Sequence, residues 1–499
     1  MSKQKVKSIC IAGGGSAGWL TAARTLFACP DFDVTVVESP NVPIIGVGEA
    51  TLLGFDHFLK DACNIPVDTW SKECDATVKL GTKFTNWYGN SLDLWSPFLV
   101  PLTKPNEHHY DLIDLAIEGG VPVTEFYREC STWYEMCIDQ QKIPSTTTAC
   151  GNHHGVAYNL DAIKLANFLS KYCNKTYPKL KHIKQNITDV ETKDGNIKHL
   201  VLDDGSFIEA DFFVDCTGFR KVLSNTLEGS DWKRYDTQVF TNAAVASQID
   251  YKSNDESQHP YIDAEACELG WIWKTPIKER IGSGLCYNRN ITTKEEAEKF
   301  FIEYWGEDRL RTSEFNHINY DPEYNANNWR GNCVSVGLSS GFVEPLESSG
   351  LALMTAGIKC IDEISEGFYT KENRDAYNKR LSFLYENTFD FIGLHYFNNQ
   401  RSGPFWDKVK NEFDCTDTLY QAVGGFKNVP THTHFEQYYP RDGGMYHEYN
   451  WKLWCYGAGI KPKTVPLDSA KALECIREIK NDDYKASLPG ITNREWTNR

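Results

Sequence analysis

The chain has 499 residues, 41% hydrophobic and 13% aromatic, enough to bury a large core in two or three domains or in one elaborated domain. Its formal net charge is -16 with no long basic run, which argues against nucleic acid or anionic membrane as partners. No apolar run approaches the roughly eighteen residues of a membrane span, and the short polar start, residues 1–7, leaves no room for a signal peptide before the first apolar stretch.

The sixteen cysteines are scattered, form no C-x-x-C pair, and several (Cys10, Cys216, Cys333) sit inside apolar runs. The expected state is reduced, buried thiols in a cytoplasmic protein. His108-His109, His153-His154 and His432-Thr433-His434 are the close histidine pairs. None has further ligands at a metal-binding spacing, so no metal site is expected.

In chain order, an apolar run at 8–12 stops at Gly13-Gly14-Gly15-Ser16-Ala17-Gly18, and Leu20, Ala23 and Leu26 then share one helical face. Strand, tight turn and helix with Gly13, Gly15 and Gly18 spaced G-x-G-x-x-G predict a dinucleotide whose pyrophosphate meets the helix N-terminus. A second apolar run, 34–37, ends in Glu38, about twenty residues past Gly18, where a ribose-binding carboxylate belongs. Gly46-Val47-Gly48-Glu49-Ala50-Thr51 is a second glycine-rich loop, either beside a cofactor ring or an ordinary turn.

Lys79 lies among Val78, Leu80, Phe84 and Trp87. From those surroundings alone it reads as a side chain that snorkels to the surface. Residues 90–150 are rich in aromatics (Trp95, Phe98, Tyr110, Phe126, Tyr127, Trp133, Tyr134) and read as inserted structure over a binding surface, or as core. A helix at 160–169 precedes a hairpin signal, with Asp194-Gly195 between alternating runs. The run 210–214 leads into Asp215-Cys216-Thr217-Gly218 and predicts a buried strand ending on the ligand side of the sheet.

Alternation over 235–290 predicts a second sheet, with Trp271 and Trp273 on one side of a strand as a bulky wall. The stretch 332–338 is again strand then glycine, and a helix is expected over 351–364. The run Glu347-Ser348-Ser349-Gly350 before it suits an anion site; equally, a serine there caps the helix and Glu347 is an exposed acid. Past 370 the pattern is mostly helical (Phe383, Leu384, Phe391, Ile392, Leu394), with an aromatic segment at 435–456 and a polar C-terminal end expected to fray. The fold class is therefore α/β with α+β elaboration. Residues 1–365 form a Rossmann-type domain carrying inserted segments near 80–155 and 235–330, and 366–499 a mostly helical region.

Together these motifs resemble the flavin-dependent halogenases, typified by tryptophan halogenases. The matching stretches are residues 13–20, 46–51, Lys79 before Gly-Thr-x-Phe-x-Asn-Trp, Asp215-Cys216-Thr217-Gly218-Phe219, Trp271-x-Trp273-x-x-Pro276 and Phe342-Val343-Glu344-Pro345-Leu346-Glu347-Ser348, extended by Asp390-Phe391-Ile392 and His395-Tyr396. The resemblance implies FAD, used as FADH2 in a flavin monooxygenase-type fold, with Gly13, Gly15, Ser16, Ala17, Gly18, Glu38, Glu49, Ala50, Ile187, Gly337, Leu338 and Leu351 around it. Halide would sit at Ser349 and Gly350. Lys79 and Glu347 would be catalytic: the lysine would hold or capture hypohalous acid, and Glu347 would orient the electrophile and take the proton lost by the aromatic. Trp271 and Trp273 would part flavin from substrate. No second nucleotide motif is evident, so a separate NAD(P)H-dependent flavin reductase is the expected partner; a homo-oligomer is left open.

The sequence departs from the family at Thr275, where an aliphatic is usual, and only partly matches its substrate lid at 446–454. The substrate class stays at an indole, a phenol or another electron-rich aromatic, and the halide is undecided. A flavin-dependent aromatic hydroxylase is the alternative, and a flavin-binding protein without catalysis the third reading.

Overall fold

A computed structural model describes residues 3–43, 46, 48–89, 92–98, 112–131, 134–144, 156–253, 256–428, 437–439, 444–461, 468–483 and 490–498. The three histidine pairs, Val47, Tyr110, Trp133 and Phe435 lie outside them. The chain divides into two compact units, one of residues 1–76, 160–235 and 320–385, the other of 77–159, 236–319 and 386–499.

The first unit is built on the Ser8–Ala12 strand. It pairs in parallel with Asp33–Glu38 on one side and Phe212–Asp215 on the other, and Lys181–Lys184 and Cys333–Ser335 extend the sheet outward. The short Trp329–Arg330 strand closes it antiparallel. Register aligns Ala12 with Val37 and with Asp215, and Asp215 with Ser335, so the strands end together. Side chains alternate along a strand: Cys10 and Ala12 pack with Val37, Phe213 and the Ile187–Lys193, Asn196–Leu202 meander. The turn of that hairpin is Asp194-Gly195, both at positive φ (50° and 73°), the backbone a two-residue hairpin needs. Helix Ser16–Ala28 packs against helix Ala162–Thr176, whose first turn is capped by Asp161 accepting from the N–H groups of Ile163 and Lys164.

The strand ends are held by Asp215. Its Oδ1 accepts from Thr217 N (3.0 Å) and Thr217 Oγ1 (2.6 Å), and its Oδ2 from Leu223 N (3.1 Å) and Ser224 N (2.7 Å). Ser339 Oγ lies 3.3 Å from Oδ1 and 3.1 Å from the Gly218 carbonyl, with one proton to share between them. One buried carboxylate thus ties the 216–224 turn to the Gly337–Ser339 turn. The helix expected over 351–364 begins earlier, at Ser349, and breaks at Lys359 into Ser349–Ile358 and Cys360–Ile364. The break follows the Gly357 carbonyl, which accepts from Tyr377 Oη (2.9 Å).

The second unit holds a seven-stranded sheet in the order Asn316–Asn319, Ala243–Ile249, Ile281–Tyr287, Gly270–Pro276, Ile262–Cys267, Gly81–Thr85, Leu94–Pro97. On one face Ile272, Leu285 and Val245 pack with Ala297 and Phe301 of the Lys294–Trp305 helix, which carries a Thr293/Glu296 capping box. Trp271 and Trp273, at the alternate positions, face the other way. Trp273 pairs with Gly284 and lies across it; a Cβ at 284 would collide with the indole ring. Helices Pro404–Glu412, Asp417–Asn428, Glu448–Gly457 and Ser469–Asp483 fill out the C-terminal part. No helix among the described residues is long and apolar enough to cross a membrane.

Asp215→Asn keeps the shape but turns an amide N–H₂ toward backbone N–H donors. It should cost about 2–3 kcal/mol of stability, read as a lower urea midpoint; a midpoint equal to that of the native protein would show that the carboxylate does not hold these turns.

Candidate active site

The first unit carries the glycine turn. Gly13 has φ +121°, and a Cβ there would strike the Cys216 carbonyl; a Cβ on Gly18 would strike the Gly13 carbonyl. These two glycines are demanded by the close approach of strand, turn and helix. Gly15 differs, because a Cβ there meets nothing within 4 Å. Protein packing does not require glycine at 15, but a phosphate group approaching the backbone at the start of the helix would, so the residues present fit a dinucleotide.

Glu38 ends its strand with its side chain across Gly14. Trp19 Nε1 donates to it (3.4 Å), and His182 Nε2 and Lys184 Nζ lie 3.0 and 3.3 Å from its Oε1. Ser16 Oγ donates to the Ala162 carbonyl (3.4 Å). Gly337, at φ +70°, turns against the same helix, where its Cβ would come within 3.0 Å of the Ala17 Cβ. Leu338 follows in that turn, Leu351 is buried, and Ile187 packs into the cluster around Val37.

Glu49 and Ala50 form a two-residue strand. Burial, and then the negative charge of Asp161, push the Glu49 carboxyl up from 4.5 to about 7.

Glu347, 3% exposed, is not the surface acid that an ordinary helix start would leave there. Ser348 occupies the cap position of the Ser349–Ile358 helix in the left-handed region (φ 58°, ψ 29°), and its side chain makes no capping hydrogen bond. A non-glycine residue held in that region costs of order 1 kcal/mol or more and turns the chain sharply. A Cβ on Gly350 meets nothing within 4 Å, so there is open room at the first turn of a ten-residue helix. The N–H groups of a helix's first turn and its positive end, beside such room, suit a small anion.

Lys79, Trp271 and Trp273 belong to the second unit. Lys79 ends the Thr77–Lys79 strand and is 0% exposed, so it does not snorkel to the surface. Its strand is locked on both edges. Lys79 pairs with Ala157, and Val78 is clamped by Asn493, which accepts from Val78 N (2.9 Å) and donates to the Val78 carbonyl (3.0 Å). Asn493 opens the short Asn493–Thr497 helix with a Thr492/Glu495 capping box, so this part of the C-terminal end is ordered rather than frayed. The ammonium lies 5.0 Å from the centre of the Phe98 ring, a cation–π contact. Trp271 is fully buried and Trp273 is 8% exposed.

Asp215 and Asn493 carry no role in the sequence reading. Asp215 had a signal, an acid at a strand end before small residues; Asn493 had none, because its partner lies more than 400 residues away in the chain.

A raised carboxyl stabilises the folded state while protonated. Between its ordinary value and about 7 the folded chain holds a proton that the unfolded chain has released, so stability falls as pH rises through that window and levels off above it. From about pH 5 to about pH 8 the native protein should lose about 1–3 kcal/mol more than Glu49→Gln. Urea titrations across that range that run parallel would rule this out.

The sequence profile of the family described as Tryptophan halogenase matches residues 8–472. The tryptophan 6-halogenase ThaL of Streptomyces albogriseolus is 30% identical, with 97% of each chain covered. The tryptophan 7-halogenase RebH of Lentzea aerocolonigenes is 27% identical, covering 87% of this chain and 85% of the relative. Among solved structures, Xcc4156, a flavin-dependent halogenase from Xanthomonas campestris, superposes with a TM-score of 0.88 at 25% identity over 99% of this chain and 98% of its own. With a family match across nearly its whole length and a full-length relative at 30% identity, the chain belongs to the tryptophan halogenase family of flavin-dependent halogenases.

Proposed function

We propose that this enzyme halogenates a small electron-rich aromatic, an indole or a phenol, with hypohalous acid guided by Lys79 and Glu347. FAD, bound reduced and reacting with O2, supplies the oxidising power that converts halide to that electrophile. The residues that would hold it are all in the first unit: the Gly13–Gly18 turn with Ser16 and Ala17 at the pyrophosphate, Glu38 at the ribose, and Glu49, Ala50, Ile187, Gly337, Leu338 and Leu351 along the rest. Ser349 and Gly350 offer backbone N–H groups to halide.

The observation that supports this reading most is the complete burial of Lys79 on a strand fixed along both edges. Burying an ammonium is costly unless polar groups answer it. A pinned lysine gives a donor at a defined place, which a reactive oxidant needs if it is to meet one carbon of one substrate. Glu347, also buried, would orient the electrophile and accept the proton that the ring loses. Trp271 and Trp273 would keep the organic substrate from the flavin, and reducing equivalents would come from a separate NAD(P)H-dependent flavin reductase. Membership of the family does not favour the hydroxylase alternative.

A substrate and halide screen read by mass spectrometry, with a reductase supplied in trans, tests the proposal; products bearing oxygen rather than bromine would overturn it. Lys79→Ala should abolish halogenation while flavin oxidation continues; product still formed by this variant removes the lysine from the mechanism. Glu347→Gln should slow halogenation by about 10²-fold and change FAD affinity by no more than about twofold. A matched loss of both would make Glu347 a structural acid.

A further inference from the structure

Lys79 and the paired tryptophans lie on strands of different sheets in the second unit. Thr77–Lys79 pairs with the strand that holds Ala157 and Asn159, Gly270–Pro276 pairs within the seven-stranded sheet, and no ladder joins these two strands among the described residues. Side chains join them instead. Thr77 Oγ1 donates to the Pro276 carbonyl (2.6 Å), and Asn159 Nδ2 donates to the same carbonyl and to Thr77 Oγ1 (3.2 Å each). Pro276 ends the strand of Trp271 and Trp273. Asn159 is 0% exposed, and its Oδ1 is buried without a hydrogen-bond partner. An orphaned buried acceptor lowers stability, so stability alone gives no reason for an amide at this place. A second amide holds the next peptide. Asn493, equally buried, bonds both polar groups of the Val78 backbone and also donates to the Gln258 carbonyl (3.1 Å). Beyond Lys79, Leu80 N donates to the Pro260 carbonyl (2.7 Å) and the Leu80 carbonyl accepts from Phe98 N (3.0 Å). The backbone is thus held on both sides of the lysine.

We infer that Asn493, Asn159 and Thr77 are positioning residues for halogen transfer: by fixing the Lys79 strand, and by tying it to the strand of Trp271 and Trp273, they set the share of hypohalous acid that reaches the aromatic instead of escaping into water. The inference rests on the halogenation proposed above, which supplies the oxidant. In that transfer a carbon–halogen bond forms and the oxygen–halogen bond breaks; the ring's proton and the hydroxide leave as water. None of the three side chains takes part in those bonds. They act through the place of the ammonium, and a displacement of about 1 Å at a reacting group costs up to about 10²-fold in rate. Hypohalous acid that is not used at once is free to leave, so a slower transfer appears as leakage while the oxidation of flavin goes on as before.

The test gives native enzyme, Asn493→Ala, Thr77→Val and Thr293→Ala the same mixture of FAD, a flavin reductase, NADH, O2, bromide and indole, with monochlorodimedone in solution to trap escaped hypobromous acid. Thr77→Val keeps the shape of the side chain and loses only its bond to Pro276. Thr293→Ala removes the cap of the Lys294–Trp305 helix in the same unit and reports what lost stability does by itself. Bromoindole formed per flavin oxidised should fall about tenfold in Asn493→Ala and about two- to threefold in Thr77→Val. Trapped bromine should rise to match, with FAD affinity and flavin oxidation as in the native enzyme. Thr293→Ala should keep the native ratio of bromoindole to trapped bromine. An unchanged ratio in both Asn493→Ala and Thr77→Val, or the same change in Thr293→Ala, overturns the inference. Hydrogen exchange read by mass spectrometry tests the clamp without any halogenation: residues 77–80 should exchange several-fold faster in Asn493→Ala and at the native rate in Thr293→Ala. Exchange at the native rate in Asn493→Ala also overturns the inference. A native enzyme that brominates no indole counts against the proposed function, and faster exchange over 77–80 then upholds the clamp on its own.

Discussion

Asp215 is the constraint on which the first unit depends. The parallel strands Ser8–Ala12, Phe212–Asp215 and Cys333–Ser335 end in register, and the backbone must then leave the sheet through two sharp turns. Turns at a buried sheet end leave N–H groups without ladder partners. The Asp215 carboxylate collects those of Thr217, Leu223 and Ser224 and reaches Ser339 in the second turn. Backbone donors on an ionised oxygen are among the stronger hydrogen bonds a fold can make. They hold Gly337 against the glycine-turn helix, and the chain runs from there to the left-handed Ser348 and the open first turn at Gly350.

The second unit solves a different problem, that of keeping a lysine dry. Lys79 sits on a three-residue strand, too short to be rigid alone. Its neighbours make it rigid: Ala157 on one edge, the Asn493 carboxamide on the other, and Phe98 beside the ammonium. The aromatic packing extends this rigidity. Phe84 contacts Trp87, His395 and Trp454, and His395 lies against Trp454 with ring centres 3.6 Å apart and planes inclined at 38°. Well-packed rings of this kind add to the area they bury and fix one another's orientation. Gly284 belongs to the same logic, since the Trp273 ring occupies the place of a side chain at 284.

Glu49 illustrates how surroundings set a carboxyl's state. Glu49 has Asp161 for a neighbour and is pushed to about 7, so near neutral pH it exists both as an acid and as a carboxylate. A group poised in that way can exchange a proton at little cost.

What the sequence determined by itself was local chemistry: the glycine turn with Glu38 in register, the Asp194-Gly195 hairpin, the paired tryptophans on one strand face, and the family motifs that named Lys79 and Glu347. These signals are short-range, because turn geometry and side-chain alternation are properties of neighbouring residues. Tertiary structure alone decided the burial of Lys79, which its apolar neighbours predicted to be a surface side chain, and the burial of Glu347. It alone decided that strands 81–85 and 94–97 join the sheet that contains Trp271, through a parallel pairing of Ile262 with Thr82. It also placed Asn493 on the strand of Lys79. The physical reason is that burial and hydrogen-bond satisfaction depend on which distant segments arrive, and nothing in a residue's own neighbourhood records a partner hundreds of positions away.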